Sequence, residues 1–454
     1  MKICCLFFGV LLLTTSCKGR SDSEPQAIFT QIKEEITAST GREIYWNNDD
    51  NIVHEASLEE LLKSELTIDR AVQIALLNNP SLQAEYERIG IASAQYRQAG
   101  MLQNPFFAFN YQFATASTAG DQMNLSLIQN FLEIFLIPLK KQVAAQEIVI
   151  LKNEILGKIL DVVARTKIAF HTLQIDRSIL ELREQIASLE GLAYEAAVHL
   201  RLAGNTTELD LAHKKMSYER ANLAVTTALN TVINTKEDLN DLLGVWGSNV
   251  NWSYSKELEE FSDPRSATIN IERDSIQNNL DLKNQLERIK QRATELSIQT
   301  TNIIFPDISF GYSSNYQQNV WFIGPQISIN IPMFDLGKVH SIKAKAELTY
   351  MWKQFTAQAV TLRSIVRRAT ENFHNALDEH VHVIDELLPI AKKIFDESLL
   401  QYNAMNLGVF DLLKAKKAVF EREIVLLEKK SQFYNNKVFV QALGRGFVLP
   451  ESFR

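Results

Sequence analysis

Apolar positions along this chain change period twice, and then repeat the same changes. Ala71, Ile74, Ala75 and Leu82 recur at helical spacing, a pattern that continues to about Gly100. Gln103-Asn104-Pro105 breaks it. From Phe106 to Ala114 the alternation is strict: Phe107, Phe109, Tyr111 and Phe113 point one way, Ala108, Asn110, Gln112 and Ala114 the other. A Ser/Thr/Gly turn (Ser117 to Gly120) leads to a second strand, so strands are predicted at about 106–116 and 123–132. A helical pattern with almost no Gly or Pro then runs from about Lys140 to Leu202, roughly 95 Å at the helical rise. A shorter helix follows at about 207–243.

The second half follows the same plan. Strands are predicted at about 307–316 and 320–331, where Ile308, Phe310 and Tyr312 oppose Ser309, Gly311 and Ser313, and Trp321, Ile323, Ile327, Ile329 and Ile331 oppose Phe322, Gly324, Gln326, Ser328 and Asn330. A long helix is predicted from about Lys338 to Ala404. Residue matches fix the offset near 200: Glu87-Arg88-Ile89 with Glu287-Arg288-Ile289, Asn79 and Leu82 with Asn279 and Leu282, Pro105 and Phe109 with Pro306 and Phe310, Ser126 with Ser328, Leu209-Asp210-Leu211 with Phe410-Asp411-Leu412, and Leu243-Gly244 with Leu443-Gly444. The expected boundaries are 66–246 for repeat 1, 247–271 for a connector, 272–446 for repeat 2 and 447–454 for a tail. Helices this long need a continuous partner surface. The helix before each hairpin (about 69–101 in repeat 1) and the one after the far turn, stacked end to end, supply it.

Composition narrows the class. With 17 Gly and 10 Pro in 454 residues, punctuation is too sparse for an all-β fold. A net charge of −7 gives no global footprint for nucleic acid. Cys4, Cys5 and Cys17 are the only cysteines, so the body has neither a disulfide framework nor a thiolate metal site. Residues 1–16, with Lys2 and the apolar run Cys5 to Leu13, read as a secretory signal; Thr14-Thr15-Ser16 before Cys17 resemble a bacterial lipoprotein cleavage site, with Cys17 acylated and 17–65 a polar, mixed-charge extension. No other run is apolar enough for a transmembrane helix, so a membrane span has to be built from strands. Four strands cannot close a barrel, and twelve require three chains. Tyr111, Tyr312, Tyr316 and Trp321 are candidates for an interfacial aromatic belt. No phosphate loop, dinucleotide fingerprint, zinc helix or nucleophile elbow is present, and neither a cofactor nor enzymatic chemistry is expected. His374, His380 and His382 lie within one helix and do not converge on one ion; a solvated face is expected for them, as for Asp378 and Glu379.

Leu66-Thr67-Ile68-Asp69-Arg70-Ala71-Val72 through Asn78-Asn79-Pro80-Ser81-Leu82, Gln98-Ala99-Gly100 to Asn104-Pro105, Ile331-Pro332-Met333-Phe334-Asp335-Leu336-Gly337, and the spacing of Tyr402, Asp411 and Ala415 together resemble the TolC-like outer-membrane efflux proteins, over about residues 66–446. The resemblance implies a mainly α fold with a membrane β part: a homotrimer forming a 12-stranded outer-membrane β-barrel and a long periplasmic α-helical barrel. It implies a passive, non-enzymatic duct that meets a periplasmic adaptor protein and an inner-membrane pump. The strand faces carrying Phe107, Phe109, Tyr111, Phe310, Tyr312, Trp321, Ile327 and Ile329 would meet outer-membrane lipid. A periplasmic gate would involve Asp411, Lys414 and Asp210, with Lys414 standing where the best-known members carry a second Asp. Gly204, Asn205, Asn406, Leu407 and Gly408 at the two far turns would contact the adaptor. Gly204 is expected to end its helix with positive φ and Gly408 to act similarly; the counterpart of Gly204 falls near Met405, so turns of different shape are expected. A short strand is expected near Ala267 to Ile271, within a connector that belts the tunnel. The competing readings are an exported coiled-coil scaffold or adhesion protein without a pore, and a periplasmic adaptor, for whose added β-domains the chain has no room.

Overall fold

The structure, a computed structural model, describes residues 25–40, 44–46, 60–115, 120–130, 132–255, 270–304, 308–318, 320–329 and 337–447. Cys17 and the Ile331-to-Leu336 elbow lie outside these residues. Repeat 1 contains α2 (Ile68–Asn78), α3 (Pro80–Ala99), β1 (Phe106–Gln112), β2 (Gln122–Asn130), α4 (Leu132–Leu202) and α5 (Glu208–Leu243). Repeat 2 contains α6 (Ile271–Asn278), α7 (Leu280–Ile304), β3 (Ile308–Gln317), β4 (Val320–Ile329), α8 (Lys338–His382), α9 (Leu388–Asn403) and α10 (Val409–Gly444), with a π-turn, Val383–Leu387, between α8 and α9. Before them lies α1 (Pro25–Thr40).

Several boundaries differ from expectation, each for a local reason. The single helix expected over 69–101 is two, because Asn79 leaves helical geometry (φ −63°, ψ 116°) ahead of Pro80. Asn79 then caps α3, accepting the Leu82 N–H at 3.1 Å. The first long helix starts at Leu132 and runs through Pro138. Glu133 secures that end: its carboxylate takes the Lys140 ammonium at 2.9 Å and the Gln103 N–H at 3.2 Å. The second long helix is interrupted. Pro389 has no N–H for the carbonyl four residues back, and the Leu388 N–H reaches Val383 O, five back. Ile271 opens a helix and is not part of the expected strand; residues 267–269 lie outside the described set.

The stacked arrangement is built on two matching joints. Asn78 Nδ2 donates to Leu243 O (3.0 Å) and Gly244 O (2.7 Å), and Asn79 Nδ2 to Leu242 O (2.9 Å), fixing the start of α3 against the end of α5. Asn278 and Asn279 reach Gly444 O and Gly446 O, each at 3.3 Å, at the α7–α10 joint. Gly244 (φ 66°) and Gly446 (φ 85°) take the left-handed turn at these ends. A Cβ on either would press on the Asn78 or Asn278 carbonyl. Gly446 is therefore the geometric counterpart of Gly244, not Gly444 as the sequence match suggests. α4 packs against α3 and α7 along one half and against α5 and α10 along the other; α8 and α9 pack on α10. At mid-length, Leu66 bridges Tyr254 in parallel.

α1 belongs to the core rather than to a loose extension. Ile28, Ile32 and Ile36 are fully buried against the repeat-1 helices. Phe29 meets Trp46 and Tyr86 at ring centroid distances of 5.5 and 5.2 Å.

Candidate functional site

The four strands form one antiparallel sheet in the order β1-β2-β3-β4. Paired residues share a face. The register places Phe107, Leu127, Tyr312 and Pro325 in one row, Phe109, Leu125, Ser314 and Ile323 in the next, and Tyr111, Met123, Tyr316 and Trp321 in the row nearest the hairpin tips. Phe310 and Ile327, and Ile308 and Ile329, continue this face toward the helices. All eight aromatic and aliphatic strand residues singled out from sequence lie on it, and all are exposed. Tyr316 and Trp321 contact at 5.1 Å between centroids. Three of the four belt candidates thus share one row, with Tyr312 two rows deeper.

The opposite face reads Phe106–Ile128–Gly311–Gln326, then Ala108–Ser126–Ser313–Gly324, then Asn110–Asn124–Asn315–Phe322, with the pairs Gln112–Gln122 and Gln317–Val320 at the tips. It is amide and hydroxyl with a few apolar members. Asp, Glu, Lys and Arg are absent from all four strands. The outer edges of β1 and β4 pair with no described strand.

At the other pole, two helix–turn–helix tips are nearly congruent. α4 closes with Gly204 at φ 76°, and the Asn205 N–H reaches back to Leu200 O at 2.8 Å. α9 closes with Met405 at φ 60°, and the Asn406 N–H reaches back to Gln401 O at 2.9 Å. Both are Schellman closures, and both lead after two more residues to an N-cap, Thr207 or Gly408. Two expectations are thereby corrected. The turns share one shape, and Gly408 (φ −76°) is an ordinary N-cap while Met405 takes the left-handed conformation.

The tips differ in chemistry. Asp210 completes a capping box: the Asp210 N–H donates to Thr207 Oγ1 at 3.1 Å and the Thr207 N–H donates to Asp210 Oδ2 at 3.4 Å, with the Thr207 hydroxyl donating to the same oxygen at 2.6 Å. Those hydrogen bonds from Thr207 hold the Asp210 carboxyl below its ordinary value. Asp411 stands at the same helix position, but its cap is Gly408, which has no side chain to answer it. Asp411 and Lys414 are both exposed, one turn apart on α10, and among the described residues no ion pair joins them. Gly204, Asn205, Asn406 and Gly408 are exposed and Leu407 is half-buried.

Two further features depart from the reading of the sequence. Glu154 on α4 accepts Arg88 at 2.8 Å and Arg288 at 2.9 Å, so the two repeat-related arginines converge on one carboxylate. The repeated Glu-Arg-Ile triplet carried that signal. The other is His380, expected on a solvated face but 2% exposed, its ring over Phe433. Burial first, and then Lys430, push its pKa down. Glu379 beside it is paired with Lys429 at 2.7 Å.

No family model matches the sequence. The probable efflux pump outer membrane protein TtgC and the antibiotic efflux pump outer membrane protein ArpC, both of Pseudomonas putida, are 20% identical over 430 residues, covering 87% of this chain and 84% of theirs. Among solved structures, the CmeC outer membrane channel of Campylobacter jejuni superposes with a TM-score of 0.65 at 17% identity, covering 85% of this chain and 90% of that one. The outer-membrane channel OprN gives 0.65 at 14% identity, covering 89% and 98%. The outer membrane protein VceC of Vibrio cholerae gives 0.64 at 14%, covering 84% and 97%. A two-repeat chain with this meander sheet and these stacked helices has the fold of these outer-membrane channels, and along most of its length it is similar to efflux pump outer membrane proteins.

Proposed function

We propose that three copies of this chain form the outer-membrane channel of a tripartite efflux or secretion system, conducting substrates passively while an adaptor and an inner-membrane pump supply selection and energy. The observation that carries this is the sheet register: one face apolar, one face wet and uncharged, and two open edges. An open edge in hydrocarbon leaves N–H and C=O groups unpaired at several kcal/mol each, so β1 of one copy meets β4 of the next. Twelve strands then enclose a pore lined by the Asn and Gln rows, with Phe107, Phe109, Tyr111, Phe310, Tyr312, Trp321, Ile327 and Ile329 toward lipid.

The helices have matching open flanks. On α5, Leu209, Met216 and Leu223 recur every seven residues and are exposed, and so are Ile390 and Ile394 on α9. These helices lie at opposite sides of the α5-α4-α10-α9 layer, as a head-to-tail ring requires. In that ring the Asp411 and Lys414 side chains, with Asp210 nearby, form the periplasmic constriction, and the two tips meet the adaptor. Acylated Cys17 anchors the chain in the outer membrane. The reading assigns no enzymatic step to the chain.

Purified full-length protein in detergent is expected to migrate as a trimer that heating converts to monomer, and to give stepwise conductance in planar bilayers. A detergent-independent monomer that never conducts would overturn the reading in favour of a scaffold.

A further inference from the structure

Met405 occupies a backbone conformation that disfavours it. Its φ is 60°, left-handed, and it is no ordinary turn residue. The same turn in repeat 1, with the same five-residue-back hydrogen bond, uses Gly204 at φ 76°. Glycine is the residue this geometry favours. Nor does packing explain the methionine. Met405 is 94% exposed, the highest exposure among the large apolar residues described. A non-glycine residue kept in a strained conformation with its apolar side chain wholly in water points to a use for that side chain.

Its place in the fold limits the use. Met405 stands at the apex of the second far turn, where α8, the π-turn and α9 end after residues 338–403, about 100 Å along the helix axis from the strands. An apical side chain there faces away from the sheet, toward whatever approaches from the opposite membrane. Its neighbours Asn406 and Gly408 are exposed and uncharged, so contact there is apolar and backbone-directed rather than ionic. Met is suited to such a contact: it is unbranched, polarizable and adaptable to an imperfect pocket.

We infer that Met405 is an apolar anchor for the partner protein that docks at the periplasmic tip, and that it makes the two congruent turns unequal in recognition. The partner is a periplasmic adaptor presenting an apolar notch to this turn; the Gly204 turn offers the same backbone outline with no side chain to fill such a notch. This assignment rests on the tripartite-channel reading.

Full-length channel in detergent, with the adaptor encoded by the same source as probe, separates the alternatives. Met405→Gly is expected to raise the trimer's melting temperature by relieving the left-handed backbone, and to weaken adaptor binding at least about tenfold, the loss of a central apolar anchor. Met405→Leu retains most binding. Gly204→Met leaves the Met405 contribution unchanged. If Met405→Gly binds the adaptor as wild type does, the inference is overturned and the methionine is tolerated strain. If Met405→Gly instead dissociates the trimer, the side chain contacts a second copy of this chain, which also overturns it. If wild-type protein neither conducts nor binds the adaptor, the channel reading itself fails, a result distinct from either.

Discussion

A carboxylate three residues after a turn carries different weight at the two tips. Asp210 is consumed locally: Thr207 and Thr206 hydroxyls surround it, and its pKa is lowered chiefly by Thr207. Replacing Thr207 by Ala should cost about 1 kcal/mol at the start of α5, read as faster amide exchange over its first turn without loss of the trimer. Because the Asp210 pKa is lowered, that cap is present above the ordinary carboxylate range and disappears only as pH falls through the depressed value. Asp411 has no such partner in its cap, which leaves its charge available for the constriction proposed above. Asp411→Asn should shift the reversal potential of the reconstituted channel toward anions, whereas Asp210→Asn should not. His380 gives the opposite pH sign. Its folded pKa lies below the ordinary 6.5, so the unfolded chain takes up the proton first as pH falls. Stability is therefore complete above about pH 7 and declines as pH drops through about 6.5. His380→Leu should flatten the fall of melting temperature between roughly pH 7.5 and 5.5, and an unchanged slope would place the titration elsewhere.

Among the elements, the two half-length stacks depend on their joints. Gly244 has both a left-handed φ and the Asn78 carbonyl at 2.5 Å from where a Cβ would sit. Gly244→Ala therefore meets strain and a backbone clash together and should destabilise by roughly 2–4 kcal/mol, seen as a lower melting temperature of the trimer. Gly204→Ala, with nothing within 4 Å of its Cβ, should show only the backbone part. The sheet offers a sharper contrast. Ile327 and Gln326 are adjacent in β4 and lie on opposite faces. On the channel reading, Ile327→Arg would put a charge toward lipid and should cost up to about 2–4 kcal/mol, lowering the fraction of heat-modifiable trimer formed in vesicles. Gln326→Arg faces water and should leave assembly intact while moving ion selectivity toward anions.

At the scale of the whole molecule, the single chain is an incomplete object. Among the described residues its strand meander ends on two edges with no strand partner and its helical layer carries an exposed apolar flank on either side, and the closed ring proposed above would satisfy both. Leu223→Lys places a charge in the exposed seven-residue stripe of α5 and should move the detergent-solubilised protein from trimer toward monomer, measured by light scattering. Helical content by circular dichroism should stay unchanged, because Leu223 is exposed within one chain.

The sequence by itself determined the repeat, the strand faces and the long helices, because each is written in periodicity: a strand sorts its side chains every two residues and a helix every 3.6, whatever surrounds them. It determined the family likeness for the same reason, since a cap residue such as Asn79 acts on its own backbone. Only the tertiary structure decided what depends on partners far along the chain. The long helix reads as starting near Lys140 until Glu133 is seen holding Lys140 and Gln103 at a start on Leu132, six residues before Pro138. α1 reads as a polar extension until its isoleucines are seen buried. His380 reads as solvated until the Phe433 ring is seen beside it. Met405 reads as the odd member of an unequal pair of turns until both backbones are seen to be the same. Propensity is local, whereas burial and strain are set by contacts between distant segments, and a single sequence carries no direct record of those contacts.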